Sequence, residues 1–371
     1  TTSPAVTGTT RQPWADALRV VAIAGVVVVH AATGYLVDIP WYYDDEKVTS
    51  GVWSTVLSFP VFAGGLFWLG PLFLLAGWFS VGSLRRRGPA GFARSRLLRL
   101  GAPLVVWVVL LQPLTDWVGN IRSEKGTFAF YLGHTEVSAL WFIAALLVFS
   151  LAYAGLRTLR RPADPRAVHR TTTLLTAAAA TIAVTSFPIW QVWSVLGDMV
   201  LNLKVGEWPQ AAVLFALGVL AGETQWLQRL RRPTVRRVGW VAVGGAAAAV
   251  PLVAYGVSQA DESSDLLSAP DWPTATFAVL DGVIAVTWSV WFVTWFRRRW
   301  TASGRLLGRA GRASYAAYVL HPLPLTALMV LLAPLPVPVP LKFVLVAVVA
   351  VPLCFTLGYG LTRLPVLSRV L

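Results

Sequence analysis

The sequence predicts an all-α, polytopic membrane protein with about ten transmembrane helices and both termini cytoplasmic. Three observations lead there. Of the 371 residues, 56% are hydrophobic and only 13% charged, against about 25% charged in an average soluble domain. The apolar residues fall in blocks of about 20, the length a helix needs to cross roughly 30 Å of hydrocarbon. The segments between the blocks alternate in charge.

Ten apolar spans follow one another at 14–34, 55–83, 100–118, 137–156, 171–190, 210–228, 238–257, 276–296, 313–332 and 342–361. RRRGPAGFARSRLLR (85–99) holds six arginines, RTLRRPADPRAVHR (157–170) five, RLRRPTVRR (229–237) five and RRRWTASGRLLGRAGR (297–312) six. The intervening loops collect acids instead, as in YYDDEK (42–47) and DESSD (261–265). Lys and Arg gather on the cytoplasmic side of membrane proteins, so strict alternation puts both termini there. The net charge of +14 is then a topology signal and argues against nucleic acid as a partner; membrane lipids are the expected surroundings.

The chain reads as one integral membrane domain, 1–371, with a polar N-terminal tail (1–13) and a short cytoplasmic tail (362–371). It is expected to be a multi-pass protein of a cell membrane, a bacterial inner membrane or a plasma membrane. The first span is longer than a signal core and lacks the short basic start, so it is read as retained. A single cysteine, Cys354, leaves no disulfide framework and no Cys-based metal site, and no metal is expected. PLPVPVP (334–340) is expected to make a tight extended link between the last two spans.

The first span raises the chemical question. RVVAIAGVVVVH (19–30) is apolar except at its two ends. At 100° per residue Arg19 and His30 share one face, about 16 Å apart along the helix axis. With Trp14 at the interface, Arg19 lies roughly 7 Å and His30 roughly 24 Å into the membrane. Asp16, three residues before Arg19, is placed to pair with it. Arg19 is near enough to the edge to snorkel, and His30 has the option of bonding a neighbouring helix. Ionisable residues inside a membrane are nevertheless functional candidates by default. Two on one face suggest a polar cavity across the bilayer.

Other spans add candidates. Ser314, Tyr318 and His321 are spaced i, i+4, i+7 and share a face; Pro322 and Pro324 are expected to kink that helix. Asp281 in the eighth span is a candidate for an acceptor site, Glu223 is expected to pair with an arginine such as Arg229, and Asp116 is expected at the interface. Gly64, Gly65, Gly70 and Gly77 either open a passage or let helices pack closely. Trp14, Trp208 and Trp272 are expected in interfacial belts; Trp41 and Trp53 either join them or stack on sugar rings.

These residues also carry a resemblance. DALRVVAIAGVVVVH (16–30) resembles the opening signature of the Acyltransferase 3 family: an acidic residue, an arginine three later, then a histidine after ten intervening positions. GPLFLLAGWF (70–79) followed by RSRLLRL (94–100) is similar to the family's second span and the Arg-x-x-Arg loop after it. ALWFIAALLVFSLAY (139–153) resembles its Leu-Trp-Phe span, and SYAAYVLHPL (314–323) its Ser-Tyr…His-Pro span. All four come in the family's order over nearly the whole chain, and the overall flavour is similar to the glucan biosynthesis protein C branch. The chain departs from that branch at Ala139, where a histidine often stands; no role passes to His134 in the outer loop. The soluble esterase-like domain of some relatives is not seen.

The resemblance implies an acyl-CoA-dependent O-acyltransferase of the EC 2.3.1 class. Such an enzyme moves an acyl group, acetyl foremost, from cytoplasmic acyl-CoA to a hydroxyl of a glycan, glycolipid or glycosylated small molecule. Arg94, Arg96 and Arg99 are then expected on a cytoplasmic loop, where their planar forks suit the coenzyme's phosphates. His30 is the expected general base, with Arg19 keeping the cavity polar or stabilising developing charge. Ser314, Tyr318 and His321 are expected beside the thioester or the pantetheine arm; carbonyls freed at the kink are the other partner open to His321. Direct transfer in a ternary complex is expected, because Cys354 has no basic residue nearby in sequence. The rival reading is a proton-coupled transporter with His30 and Asp281 in a relay, although no inverted repeat is visible.

Overall fold

The computed structural model describes residues 12–36, 41–48, 51–122, 126–164, 170–193, 202–259, 270–302, 304–365 and 367. Residues 1–11 of the polar tail, the acidic stretch 261–265 and residues 368–371 lie outside the described residues. Among the described residues every named element is helical, and one isolated β-bridge joins Leu36 to Val48.

Pro13–Thr33 forms α1, with Pro13 in the first turn, where its missing N–H leaves no bond unmade. What the sequence reads as one span, 55–83, is two helices, Val52–Phe67 (α2) and Leu69–Arg96 (α3). They part at Trp68 because Pro71 has no N–H to offer the Phe67 carbonyl, which instead accepts Trp288 Nε1–H at 2.9 Å. Within α3 the helix breaks at Gly88 (φ 70°, ψ 168°), in the left-handed region that favours glycine, and Pro89 restarts it. The chain folds back there, since Arg96 donates to Ser80, sixteen residues earlier, at 3.1 Å. A straight helix would hold those two residues about 24 Å apart. The returning limb continues through two π-helical turns (Leu97–Gly101 and Trp107–Leu111) and the short segments Ala102–Val106 (α4) and Gln112–Gly119 (α5). The stretch expected as a loop before the third span is therefore helix from Pro89 onward.

Phe128–Leu132 (α6), Trp141–Leu159 (α7), Thr171–Val192 (α8), Trp208–Thr224 (α9), Arg232–Gln259 (α10) and Trp272–Arg299 (α11) follow. Arg305–Leu320 (α12) and Pro322–Leu332 (α13) are bent by 68° at the predicted kink, and Val339–Leu361 (α14) ends the fold. Among the described residues seven helices are long and apolar enough to cross a membrane, or eight with α12 and α13 taken as one span.

Close packing holds the bundle together. A methyl on Gly77 would overlap the Phe215 carbonyl oxygen and one on Gly218 the Leu74 carbonyl oxygen, so α3 and α9 touch backbone to backbone. Gly70 faces Leu214 and Ser289, and Gly64 faces Val29, so these glycines serve packing. Outward-facing apolar side chains such as Val184 (72% exposed) and Val348 (66%) suit a lipid surround. Trp272 is exposed, as an interfacial anchor requires. Trp14 is buried against Trp78 and Phe79 at ring distances of 5.5 and 6.1 Å, so it is a core residue and no marker of depth.

Candidate active site

The two ends of α1 carry two polar clusters. At the C-terminal end, His30 Nδ1 lies 2.7 Å from His321 Nε2, and His321 Nδ1 lies 2.6 Å from the Tyr318 carbonyl oxygen. A carbonyl only accepts, so the proton of neutral His321 sits on Nδ1 and its Nε2 is an acceptor. His30 Nδ1–H then donates to it, which leaves His30 Nε2 with a free lone pair. The Tyr318 carbonyl is available because Pro322, four residues on, has no N–H. One proline thus sets both the bend and the histidine's protonation site. His321 is fully buried, whereas His30 keeps some exposure. The open nitrogen therefore belongs to the more accessible ring.

The predicted row on α12 divides its partners. Ser314 turns back onto its own helix, donating to the Ala310 carbonyl at 2.9 Å. Tyr318 donates across to the Ala139 carbonyl at 2.8 Å. His321 meets His30.

Trp41 lies nearly parallel to His30, with ring centroids 4.7 Å apart, so it is neither a belt residue nor a free stacking platform. It belongs to the segment 41–48, which a buried ion pair fastens to α14. Lys342 Nζ sits 2.6 Å from Glu46 Oε1 and donates to the Ala333 carbonyl at 2.7 Å, with the Lys342 side chain 2% exposed. Tyr43 donates to the other Glu46 oxygen at 3.2 Å. Trp53, by contrast, is exposed. Lys204 lies within electrostatic range of His30 and of Glu207, and Glu207 within range of buried Asp281. Among the described residues no hydrogen bond or ion pair joins Asp281 to His30.

The N-terminal end of α1 holds arginines. Arg19 pairs with buried Asp16 at 3.3 Å, as the spacing predicts, and its guanidinium lies 5.6 Å from the Phe79 ring. The next residue, Ser80, accepts Arg96, whose guanidinium also covers the Phe92 ring at 4.9 Å. Arg96 is within electrostatic range of Arg99 and Arg87, and Arg87 donates to the Ser95 hydroxyl. Arg94 and Arg99 are exposed. Tyr315 of α12 donates to the Arg99 carbonyl at 2.6 Å; Pro103, four residues after Arg99, offers that carbonyl no N–H. Arg19 and Arg96 thus meet adjacent residues of α3, Phe79 and Ser80, and Arg19 lies about 16 Å from His30 along α1. Among the described residues no carboxylate pairs with Arg94, Arg96 or Arg99.

Two further expectations are settled nearby. Glu223 pairs with Arg157 at 3.7 Å and accepts Tyr153 and the Ala163 N–H, so its arginine is Arg157 and not Arg229. Cys354 is buried. Ser80 and Phe92 escaped the sequence reading, Phe79 and Tyr315 stood in its motifs without a role, and Trp41 entered it only as a belt or sugar-stacking candidate. A usable signal was the proline four residues after each borrowed carbonyl: Pro71, Pro103 and Pro322.

An all-helical membrane protein with paired histidines at one end of a helix and arginines at the other fits a membrane transferase. The chain belongs to the Acyltransferase 3 family, whose acyltransferase domain matches residues 12–359. No curated protein matches the chain.

Proposed function

We propose that the protein is a membrane-embedded O-acyltransferase with His30 as its general base. It moves an acyl group, acetyl foremost, from cytoplasmic acyl-CoA to a hydroxyl of a glycan, glycolipid or glycosylated small molecule. The observation that supports this most is the His30–His321–Tyr318 chain at 2.7 and 2.6 Å, because it leaves one ring nitrogen of His30 with a free lone pair.

The acceptor hydroxyl attacks the thioester carbonyl while His30 Nε2 takes its proton. The new C–O bond forms, the C–S bond breaks, and the proton passes from His30 to the departing thiolate. Between those steps the His30 imidazolium keeps its Nδ1 proton on His321, whose own proton rests on Tyr318. Hydrogen bonds from a charged donor are stronger than neutral ones, so the pair stabilises the charge where it arises. The Trp41 indole N–H is buried without a partner among the described residues and is the candidate donor to the developing oxyanion. Transfer is direct, without an acyl-enzyme.

The donor's phosphates belong to Arg94, Arg96 and Arg99. Arg96 bonds only a neutral hydroxyl and rests on an aromatic ring, so guanidinium N–H groups remain for an anion. The roughly 16 Å along α1 is the distance the pantetheine arm has to bridge. The alternation of arginine-rich segments favours the cytoplasm for this end, with ten crossings of a cell membrane and both termini in the cytoplasm. Resemblance to the glucan biosynthesis protein C branch favours a glycan acceptor, with Asp281 among the residues that contact it.

The test compares glycans and glycolipids, by mass spectrometry, from cells with and without the protein, together with thermal unfolding of the purified protein with coenzyme A. A product heavier by one acyl group and stabilisation by coenzyme A are expected. No mass difference and no stabilisation would overturn the reading.

A further inference from the structure

A second cationic centre lies where α12 and α14 meet. A methyl on Gly358 would stand 2.8 Å from the Ala317 nitrogen and 3.0 Å from the Ala313 carbonyl oxygen, so the two helices touch through their backbones. That contact presents the next residue, Tyr359, to the turn of α12 that carries Arg309 and Arg312. Their guanidinium carbons lie 6.0 and 5.8 Å from the Tyr359 ring centre, and that of Arg363 lies 5.5 Å from it. All three arginines are exposed, and among the described residues none has a carboxylate partner.

Three like charges around one centre stand at most roughly 12 Å apart, close to the Debye length of about 10 Å at 0.1 M salt, so they repel one another. One aromatic face cannot neutralise all three. The bias of arginine to one side of a membrane explains why these segments are basic, but not why three guanidinium groups converge on one ring. Tyr359 is two residues from the end of α14, about 3 Å along the axis. That is headgroup depth for a membrane-spanning helix, where phosphates are abundant and Arg forks bind them bidentately.

We infer that Arg309, Arg312 and Arg363, gathered by Tyr359, form a phosphate-binding site occupied by the headgroup of an anionic membrane phospholipid. This inference stands apart from the proposed acyl transfer. Coenzyme A carries the same phosphate chemistry, so the experiment has an arm for each. Native mass spectrometry of the detergent-purified full chain would measure binding of phosphatidylglycerol, of phosphatidylcholine with the same acyl chains, and of coenzyme A. The comparison is between the unaltered protein, an Arg309→Gln, Arg312→Gln, Arg363→Gln triple variant and the single Arg312→Gln variant. Phosphatidylglycerol affinity is expected to fall at least about tenfold in the triple variant and less in the single one, with phosphatidylcholine and coenzyme A unchanged. Loss of coenzyme A binding with phosphatidylglycerol unchanged would overturn the lipid assignment. Unchanged phosphatidylglycerol affinity in the single variant, or in a triple variant that unfolds at the usual temperature, would overturn the site.

Discussion

The two ends of α1 handle charge in opposite ways. At the His30 end the polar groups point at one another: two imidazoles and a carbonyl in series, and a lysine closed onto a glutamate beneath the loop that carries Trp41. At the Arg19 end the guanidinium groups lean on phenylalanine rings and a serine hydroxyl, and among the described residues only Arg19 of this cluster has an acid beside it. A network closed on itself fixes where a proton sits. A cluster of cations with spare donors receives an anion from outside. One helix thus separates a proton-handling end from an anion-receiving end.

Substitutions that break this contrast are graded in effect. His30→Ala removes the open ring nitrogen of the His30–His321 pair, and acyl-transfer turnover by the purified protein is expected to drop about 10²–10⁴-fold; near-normal turnover would exclude the base role. Lys342→Met strands Glu46, and losing one member of a buried pair costs about 3–5 kcal/mol, less here because Glu46 is 28% exposed. The unfolding temperature is expected to fall, and a Lys342→Met, Glu46→Leu double variant to recover most of it. A double variant no better than the single would show that the pair is not what holds the loop.

His321→Ala leaves His30 able to turn and to change its protonation site. Turnover is expected to fall roughly 10–100-fold with the KM for donor unchanged. A rise in donor KM with turnover intact would move His321 to the coenzyme's path, where the resemblance carried by its own His-Pro motif first put it. The smallest effect belongs to the other end. Arg96→Ala is expected to raise the donor KM about tenfold with little change in kcat, and Arg96→Lys to restore part of it. A loss confined to kcat would remove Arg96 from phosphate binding.

Much of this was legible in local sequence. Periodicity put Arg19 and His30 on one face, the three-residue step from Asp16 to Arg19 gave the ion pair found at 3.3 Å, and Pro322 marked the bend. Local rules misplaced what depends on a partner. The loop expected at 85–99 is helix after Gly88, because one glycine makes the reversal and the arginines are free to continue as helix. Trp14 read as a belt tryptophan and Trp41 as a belt or sugar-stacking one, but each found an aromatic ring from another segment of the chain. Glu223 took Arg157 in place of the nearer Arg229.

Composition, span length, charge alternation and proline positions were determined by the sequence alone, because each reports a residue's energy in water, lipid or helix, whatever its neighbours. Only the tertiary structure decided that His321 meets His30, 291 residues away, and that Arg96 reaches Ser80 on the other limb of α3. Those contacts depend on which helices lie side by side. Backbone approach at glycines and the Phe67 and Arg99 carbonyls that prolines leave open help set that arrangement, and both act between helices rather than along one.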